Sequence, residues 1–534
     1  MDQASVPVVG HVVAVDGARI TGLLVADKAA AIEFGGLVKL VVDASQVFGV
    51  VAGLWIDGAA GPAAARMIRI ELLGEIGAAG TGHAGQFQRG VCRYPGLGTA
   101  ILAVSDADLE TVYARPAASS FRVGRVCQTR GLPAFVATDA LLGKHFAVLG
   151  TTGSGKSCTL ALILRAILDR HPNGHVIVLD PHNEYGQALG DLGELISPAN
   201  LRLPYWLMNS EELTALFVPG HGIDPGPGTE VDILKQAVLE ARRAFAADGS
   251  DPQGITVDTP VPFRLGDLER ILANGMGRLT KADSSLPYLR LLARLETLTG
   301  DGRFAFLFEG LLVKDTMAEI LARLLRVPVD GRPATVIDLS GVPSEIVDAV
   351  VSLICRMLFD FVIWSIDPQA VPVLLVCEEA HRYVPADERQ GFALARRGIA
   401  RIAKEGRKYG LSLALVSQRP SELASSILSQ CNTIFALRMS NERDQEFVRN
   451  ALPEGAGGML AALPALHNRE AIVVGEGVCL PMRVAFDDLA ASCRPRSATA
   501  SFAQAWEYDS LDRGFLDDTI DRWRRQDRSQ PPLA

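Results

Sequence analysis

No two of the eight cysteines, at 92, 127, 158, 355, 377, 431, 479 and 493, stand at C-x-x-C spacing. That argues against a zinc knuckle and a disulfide framework and leaves isolated, buried thiols as the expectation. The chain also lacks an apolar run free of charge and long enough to span a bilayer. Its longest, Ala349 to Ile366, holds Arg356 and Asp360 four residues apart, where side chains on one helix face meet, so it reads as a buried helix. The first residues, MDQASVPVVG, have no basic region followed by an apolar one, so no secretory signal is expected and the expected location is the cytoplasm, without a membrane partner. An excess of positive charge is missing as well. With 52 Lys and Arg against 61 Asp and Glu, the net charge is −9. Such a surface repels nucleic acid as a whole, and a DNA site must be a local concentration of basic groups. No internal repeat is evident.

What is present suits a globular protein: 48% of residues are apolar and 21% charged, and 534 residues are too many for one core, so two to four domains are expected. From Val8 to about Phe121 the text consists of β-branched runs broken by Gly, Asp and Pro: VVGHVVAV, LVKLVVDA, VFGVVAGLWI, MIRIELLGEI and TAILAVS. These predict a small all-β barrel or sandwich over 1–125, with a loop at Gly77–Gly85. Beyond it the period changes. KHFAVLG, HVIVLD, ATVIDLS, VPVLLVCEE, LSLALVSQ and TIFALRM are near-continuous apolar runs, the pattern of strands buried on both faces of a parallel sheet. Between the second and third lies a helical stretch, about 190–330, with a Gly/Pro patch at His221–Gly228. An α/β domain over 126–490 with this helical insertion, followed by a polar tail over 491–534 ending in SQPPLA, completes the predicted organisation.

The strongest chemical signal is GTTGSGKS, which satisfies G-x-x-x-x-G-K-[ST] and lies between a predicted strand and a predicted helix. Gly150, Thr151, Thr152, Gly153, Ser154 and Gly155 form a loop whose backbone N–H groups wrap phosphates, with Lys156 on the β/γ-phosphates, Ser157 on Mg²⁺ and Cys158 completing the nucleotide-binding set. ATP and Mg²⁺ are the implied ligands. A second signal is the strand VPVLLVC ending in Glu378 and Glu379. One carboxylate there can hold Mg²⁺ through water, the expected role of Glu378, and its neighbour can polarise the attacking water. His381 reads as a loop or packing residue.

GKHFAVLGTTGSGKS, VIVLDPHNEYG, VCEEAHRYVP and IAKEGRKYGLSLALVSQRPSEL, together with the N-terminal β-region and LPALHNREAIVVGEGVCLPMRV, resemble the HerA family of hexameric DNA translocases. The resemblance implies an N-terminal HAS-barrel and a RecA-like P-loop motor with a helical insertion. It makes Glu379 the catalytic glutamate and Gln418 a polar sensor of the γ-phosphate, an amide that caps a loop being the alternative. Asp180, His182 and Glu184 match a family signature without individual roles. Arg407, in KEGRKYG, is placed near a subunit boundary, where it could act on a neighbour's ATP or form a structural ion pair.

On a helical wheel from Phe392 to Lys408, Phe392, Ala395, Ile399, Ile402 and Ala403 share one face, and Arg397, Arg401, Lys404 and Lys408 the opposite one. Such a basic stripe could track double-stranded DNA, meet a subunit or simply be solvated, and Gly406 could end the helix early. Taken together, the sequence implies a homo-hexameric, Mg-ATP-dependent translocase or helicase. It would work with an effector, a NurA-type nuclease or a sirtuin-like NAD hydrolase, in end processing or antiphage defence. The rival expectation is a scaffold ATPase without processive movement.

Overall fold

The computed structural model describes the chain apart from residues 1–6, 26–31, 58–64, 78–84, 130, 219–229, 247–251, 278–281, 309–312, 368–369, 452–456, 497–501, 508–512 and 526–534. Nearly all of the expected loop at Gly77–Gly85, the His221–Gly228 patch and the SQPPLA end lie outside the described residues.

Seven strands come first: β1 (Val8–Asp16), β2 (Arg19–Leu24), β3 (Leu37–Val42), β4 (Ser45–Asp57), β5 (Ala65–Ile76), β6 (Phe87–Arg89) and β7 (Ala100–Ala103). They are ordered β2-β1-β7-β3-β4-β5-β6, and β2 also pairs with β5. Six of them therefore close into an antiparallel barrel, with β6 added on β5. Closure removes the free edges of a sheet that small. Val12, Ile20, Val38, Leu40, Ile68, Ile70 and Ile101 fill the interior. A Cβ at Gly22 would lie 2.3 Å from Ile101 Cδ1 and 2.9 Å from Ile68 Cγ2, so a larger residue there would force these core side chains to shift.

The later strands are β8 (Ser120–Val126), β9 (Pro133–Ala137), β10 (Phe146–Leu149), β11 (His175–Asp180), β12 (Gly193–Ile196), β13 (Ala334–Asp338), β14 (Val373–Cys377), β15 (Leu411–Ser417), β16 (Thr433–Leu437), β17 (Glu470–Gly475) and β18 (Met482–Phe486). The helices include α1 (Lys156–Arg170), α2 (Ser210–Phe217), α3 (Val347–Trp364) and α4 (Ala393–Glu405). The chain divides into two compact units, one of Met1–Gly174, Asp367–Asp387 and Arg401–Arg494, the other of His175–Ile366, Glu388–Ala400 and Pro495–Ala534. The fold class expected from the sequence, an all-β barrel followed by a P-loop α/β motor with a helical insertion, is the one observed.

In the first unit β14, β15, β10 and β16 run parallel in that order. Every residue of these four strands is buried, as their unbroken apolar text requires. The sheet then continues antiparallel through β17, β18, β8 and β9. That extension was not foreseen from the periodicity: β8 pairs with β18 and not with the barrel, although it begins where the β-rich text ends. The barrel's Arg89 donates to the carbonyls of Gly475 (2.5 Å), Val478 and Cys479 (2.8 Å), in and beside the β17–β18 turn. Burial lowers the pKa of this guanidinium, and three backbone acceptors satisfy it. None of the eight cysteines is in a disulfide; Cys355, Cys377 and Cys431 are buried, as expected of all, while Cys92 is exposed.

The second unit holds the parallel strands β12-β13-β11 and the expected helical stretch, including α2 and helices at Glu230–Ala246, Leu265–Gly277 and Ala282–Gly300. Its α3 is the predicted buried helix, with Arg356 3.5 Å from Asp360 one turn on. No described helix is long and apolar enough to cross a membrane. Arg356 has a larger task. Glu212, fully buried near the start of α2, forms a capping box with Asn209 and accepts from Ser352 Oγ at 2.9 Å and from Arg356 Nη2 at 2.9 Å. The same guanidinium donates to Leu207 O at 2.6 Å. Close by, the wholly buried Arg242 is held by the carbonyls of Trp206 (3.1 Å) and Met208 (2.7 Å) and lies over Phe263.

Removing one partner of such a pair leaves a buried charge uncompensated. Arg356→Ala is therefore expected to cost about 3–5 kcal/mol in urea denaturation. Asp360→Ala, which breaks only the more exposed contact, should cost under about 1 kcal/mol.

Candidate active site

The phosphate loop is held by main-chain bonds to the ends of its neighbouring strands. Gly150 N–H donates to Ser417 O at 3.3 Å, and Thr151 donates to Arg438 O through both N–H and Oγ1 at 3.0 Å. Within the loop Ser154 Oγ reaches Thr151 O at 2.7 Å, and Lys156 Nζ reaches the same carbonyl at 3.1 Å. Lys156 is thus folded over the loop that phosphate would occupy. Gly153 (φ +76°) and Gly155 (φ +99°) take left-handed conformations that L side chains avoid. Gly155 is the N-cap of α1 and supplies no side-chain acceptor, so the first N–H groups of the helix are directed at the loop.

Parallel pairing brings the other groups to the same edge. Glu378 and Glu379 directly follow β14 and Gln418 directly follows β15, while the loop follows β10. Both glutamates are buried, and Glu379 has φ +49°, a rare conformation for a non-glycine residue that signals local strain. Thr152 Oγ1 donates to Gln418 Oε1, so the expected sensor touches the phosphate loop itself. His381, read from sequence as a packing residue, places Nδ1 3.2 Å from Glu379 Oε2 and 3.2 Å from Ser417 Oγ. Burial drives its pKa down to about 4, with Arg419, Arg382 and Lys156 adding to the effect and Glu422 opposing it. The ring is neutral at physiological pH, and its contact with Glu379 is not an ion pair. Ser157 and Glu378 offer the hydroxyl and carboxylate oxygens that Mg²⁺ prefers alongside phosphate, so the donor set fits that ion.

Other predicted residues are not gathered at this edge. Arg407 is exposed on the turn before β15, at the strand's opposite end. On α4, Leu394, Ala395, Ile399, Ile402 and Ala403 are buried and Arg397, Arg401 and Lys404 exposed, while Phe392 precedes the helix at φ +57°. Arg397 is partly neutralised by Glu211 at 3.1 Å, and the less exposed Arg396 by Glu388 at 2.9 Å. In the second unit Asp180 ends β11 and accepts from Tyr185 N–H at 2.9 Å and His182 N–H at 3.2 Å, which shapes the DPHNEY turn. Burial, reinforced by Asp338 and Glu184, raises its pKa to about 6. His182 is exposed and Glu184 half-buried.

Arg469 has no counterpart in the sequence reading. It adopts φ +65°, its N–H donates to Ser154 O at 3.1 Å, and its Cγ would lie 3.2 Å from a Cβ on Gly155. Its function at the loop is that of a backbone donor, which no residue type signals.

Residues 121–358 match the family model described as "Helicase HerA, central domain". The chain is 26% identical over 419 residues to the DNA double-strand break repair helicase HerA of Pyrococcus furiosus, covering 73% of this chain and 72% of that protein. It is 25% identical over 398 residues to the HerA of Sulfolobus acidocaldarius, 74% of each chain being covered. Among solved structures, VirB4 of Thermoanaerobacter pseudethanolicus aligns with a TM-score of 0.48 at 17% identity, over 71% of this chain and 99% of that one.

The geometry of the loop makes a separable prediction. Gly155→Ala forces a Cβ into φ +99° and against Arg469, and should weaken ATP binding about tenfold or more in a fluorescent-nucleotide titration. Arg469→Gly keeps the N–H to Ser154 and favours the same φ, so its ATP affinity should stay within about twofold of wild type.

Proposed function

We propose that this chain, a HerA homologue whose residues 121–358 carry that helicase's central domain, is an ATP hydrolase that moves along double-stranded DNA as a homo-hexameric ring. The observation that carries the reading is the gathering of a complete phosphate loop, Glu378, Glu379 and Gln418 at one edge of four parallel strands. Phosphoryl transfer asks the protein for positioning and charge stabilisation, and each of these groups supplies a part. The loop N–H groups and Lys156 hold the phosphates. Glu379 orients and polarises the attacking water, and Gln418, in contact with Thr152, registers the γ-phosphate. Mg²⁺, held through Ser157 and Glu378, supplies neutralisation of charge on the phosphate oxygens when bound.

Strand direction favours a trans role for Arg407. The arginine precedes β15 and Gln418 follows it, so the seven-residue strand separates them by about 20 Å at a rise of about 3.3 Å per residue. An arginine so placed does not reach its own loop, but could reach that of a neighbour. Arg397, Arg401 and Lys404, all exposed, are the candidate DNA-binding residues. The proposed partner is an effector enzyme, a NurA-type nuclease or a sirtuin-like NAD hydrolase, in end processing or phage defence.

Lys156→Ala should abolish turnover and weaken ATP binding. Glu379→Gln should bind ATP and hydrolyse it about 100-fold more slowly or worse. Substantial turnover by the second variant would mean that another group is the base, and wild-type turnover unmoved by DNA would favour a scaffold ATPase. Neutralising Arg397, Arg401 and Lys404 together should lower DNA affinity and flatten its log–log salt dependence. Arg407→Ala should bind ATP, assemble and hydrolyse poorly, yet recover activity when mixed with Lys156→Ala subunits.

A further inference from the structure

His145 lies between α4 and β15 with its ring 3% exposed and both nitrogens engaged. Nε2 is 3.0 Å from Ala403 O, and Nδ1 accepts the N–H of Leu413 at 3.0 Å. A carbonyl only accepts and an amide N–H only donates, so the hydrogen is on Nε2 and the ring is neutral. Burial lowers its pKa, and the nearby charge of Arg407 lowers it further.

These two bonds fall on either side of one short connection. Ala403 is in the last turn of α4, whose final carbonyls have no partner within the helix, so the ring caps the helix from another element. Leu413 is the third residue of β15. Between them Gly406–Tyr409 forms a 3₁₀ turn closed by Gly410 at φ +76°, and a Cβ on Gly406 would meet Leu411 O at 2.6 Å. The turn has no slack of its own, and Arg407 stands exposed on it. His145 itself has φ +56° and immediately precedes β10, the strand that ends in the phosphate loop.

We propose that His145 is the positioning residue for Arg407: by tying Ala403 to Leu413 it holds the intervening turn in the one shape that presents the arginine to the ATP of a neighbouring subunit. This rests on the proposed trans role of Arg407. Neither the glycine-rich loop nor the two glutamates involve this ring, so its loss should damage what a subunit gives to its neighbour, not what it does with its own nucleotide.

The test uses His145→Asn and His145→Gln in the full-length chain, each melted to establish folding. Asparagine can still accept from Leu413 but does not reach Ala403; glutamine places an amide N–H where Nε2 was. His145→Asn should lower kcat about tenfold or more with KM for ATP within about twofold, since misplacing a catalytic group by an ångström has effects of that order or larger. His145→Gln, which restores the donor to Ala403 though not the acceptor for Leu413, should lose less activity than His145→Asn. Mixed with Lys156→Ala subunits, His145→Asn should regain turnover as Arg407→Ala does, because its own phosphate loop is intact and the partner brings a correctly held arginine. Wild-type kcat in a folded His145→Asn protein overturns the assignment. So does a slow His145→Asn that Lys156→Ala fails to rescue while rescuing Arg407→Ala, for then the damage is to its own site. If His145→Asn does not fold, a folded His145→Gln that is slow and not rescued has the same force. Failure of Arg407→Ala itself to be rescued removes the trans reading, and this assignment with it.

Discussion

The parallel pairing of β10 with β15 on one side and β16 on the other fixes the positions of the phosphate loop and of Gln418. Phe146 aligns with Ala414 and with Thr433, and the register holds to Leu149 opposite Ser417 and Ala436. Because the three strands point the same way, their C-terminal ends bring together the phosphate loop, Gln418, and the Arg438 carbonyl that accepts from Thr151. Their N-terminal ends collect at the far edge, which is where His145 and Arg407 lie. A one-residue slip would move side chains to the opposite face and separate the loop from both acceptors. Burial of every residue in these strands is what makes such a slip costly.

The two edges therefore carry different groups. One has the phosphate loop, the two glutamates and Gln418, and the other presents charge outward from a turn built on two glycines. An acidic protein of net charge −9 can afford few uncompensated cations, and several are answered locally: Arg397 by Glu211, Arg396 by Glu388, Arg356 by Glu212. Arg407 lies instead beside a histidine whose pKa it helps to depress. Positive charge near a neutral ring, with no carboxylate paired to it among the described residues, is compatible with a group that meets phosphate elsewhere.

What could be read from sequence was whatever the chemistry or the solvent imposes locally. Gly150 to Ser157 were legible because phosphate binding demands those residue types at that spacing, and β10, β14, β15 and β16 because a strand covered on both faces has no room for polar residues. The inward and outward faces of α4 followed from the 3.6-residue period. The antiparallel continuation was not legible: MRVAF and PAFVA are short and mixed, and only their pairing partners make them strands. Nor could sequence show that Glu211 would sit against Arg397, 186 positions away. Arg469 acts through its N–H and a left-handed φ, which are properties of a fold and not of a residue name. His145 lay inside a motif that was recognised, yet the neighbouring glycines and lysine drew the functional reading away from it.

The insertion of Arg89 into the β17–β18 turn bears on whether the barrel is a detachable module. The guanidinium is held by three carbonyls, at Gly475, Val478 and Cys479, and those carbonyls have in it a shared donor. A motor separated from its barrel would present three backbone acceptors to solvent at the tip of a hairpin whose other end, through Arg469, closes on the phosphate loop. A barrel grafted from another protein without an arginine at this spot would leave the three carbonyls to water, and the hairpin that ends at the phosphate loop would lose its tie to the barrel's Arg89.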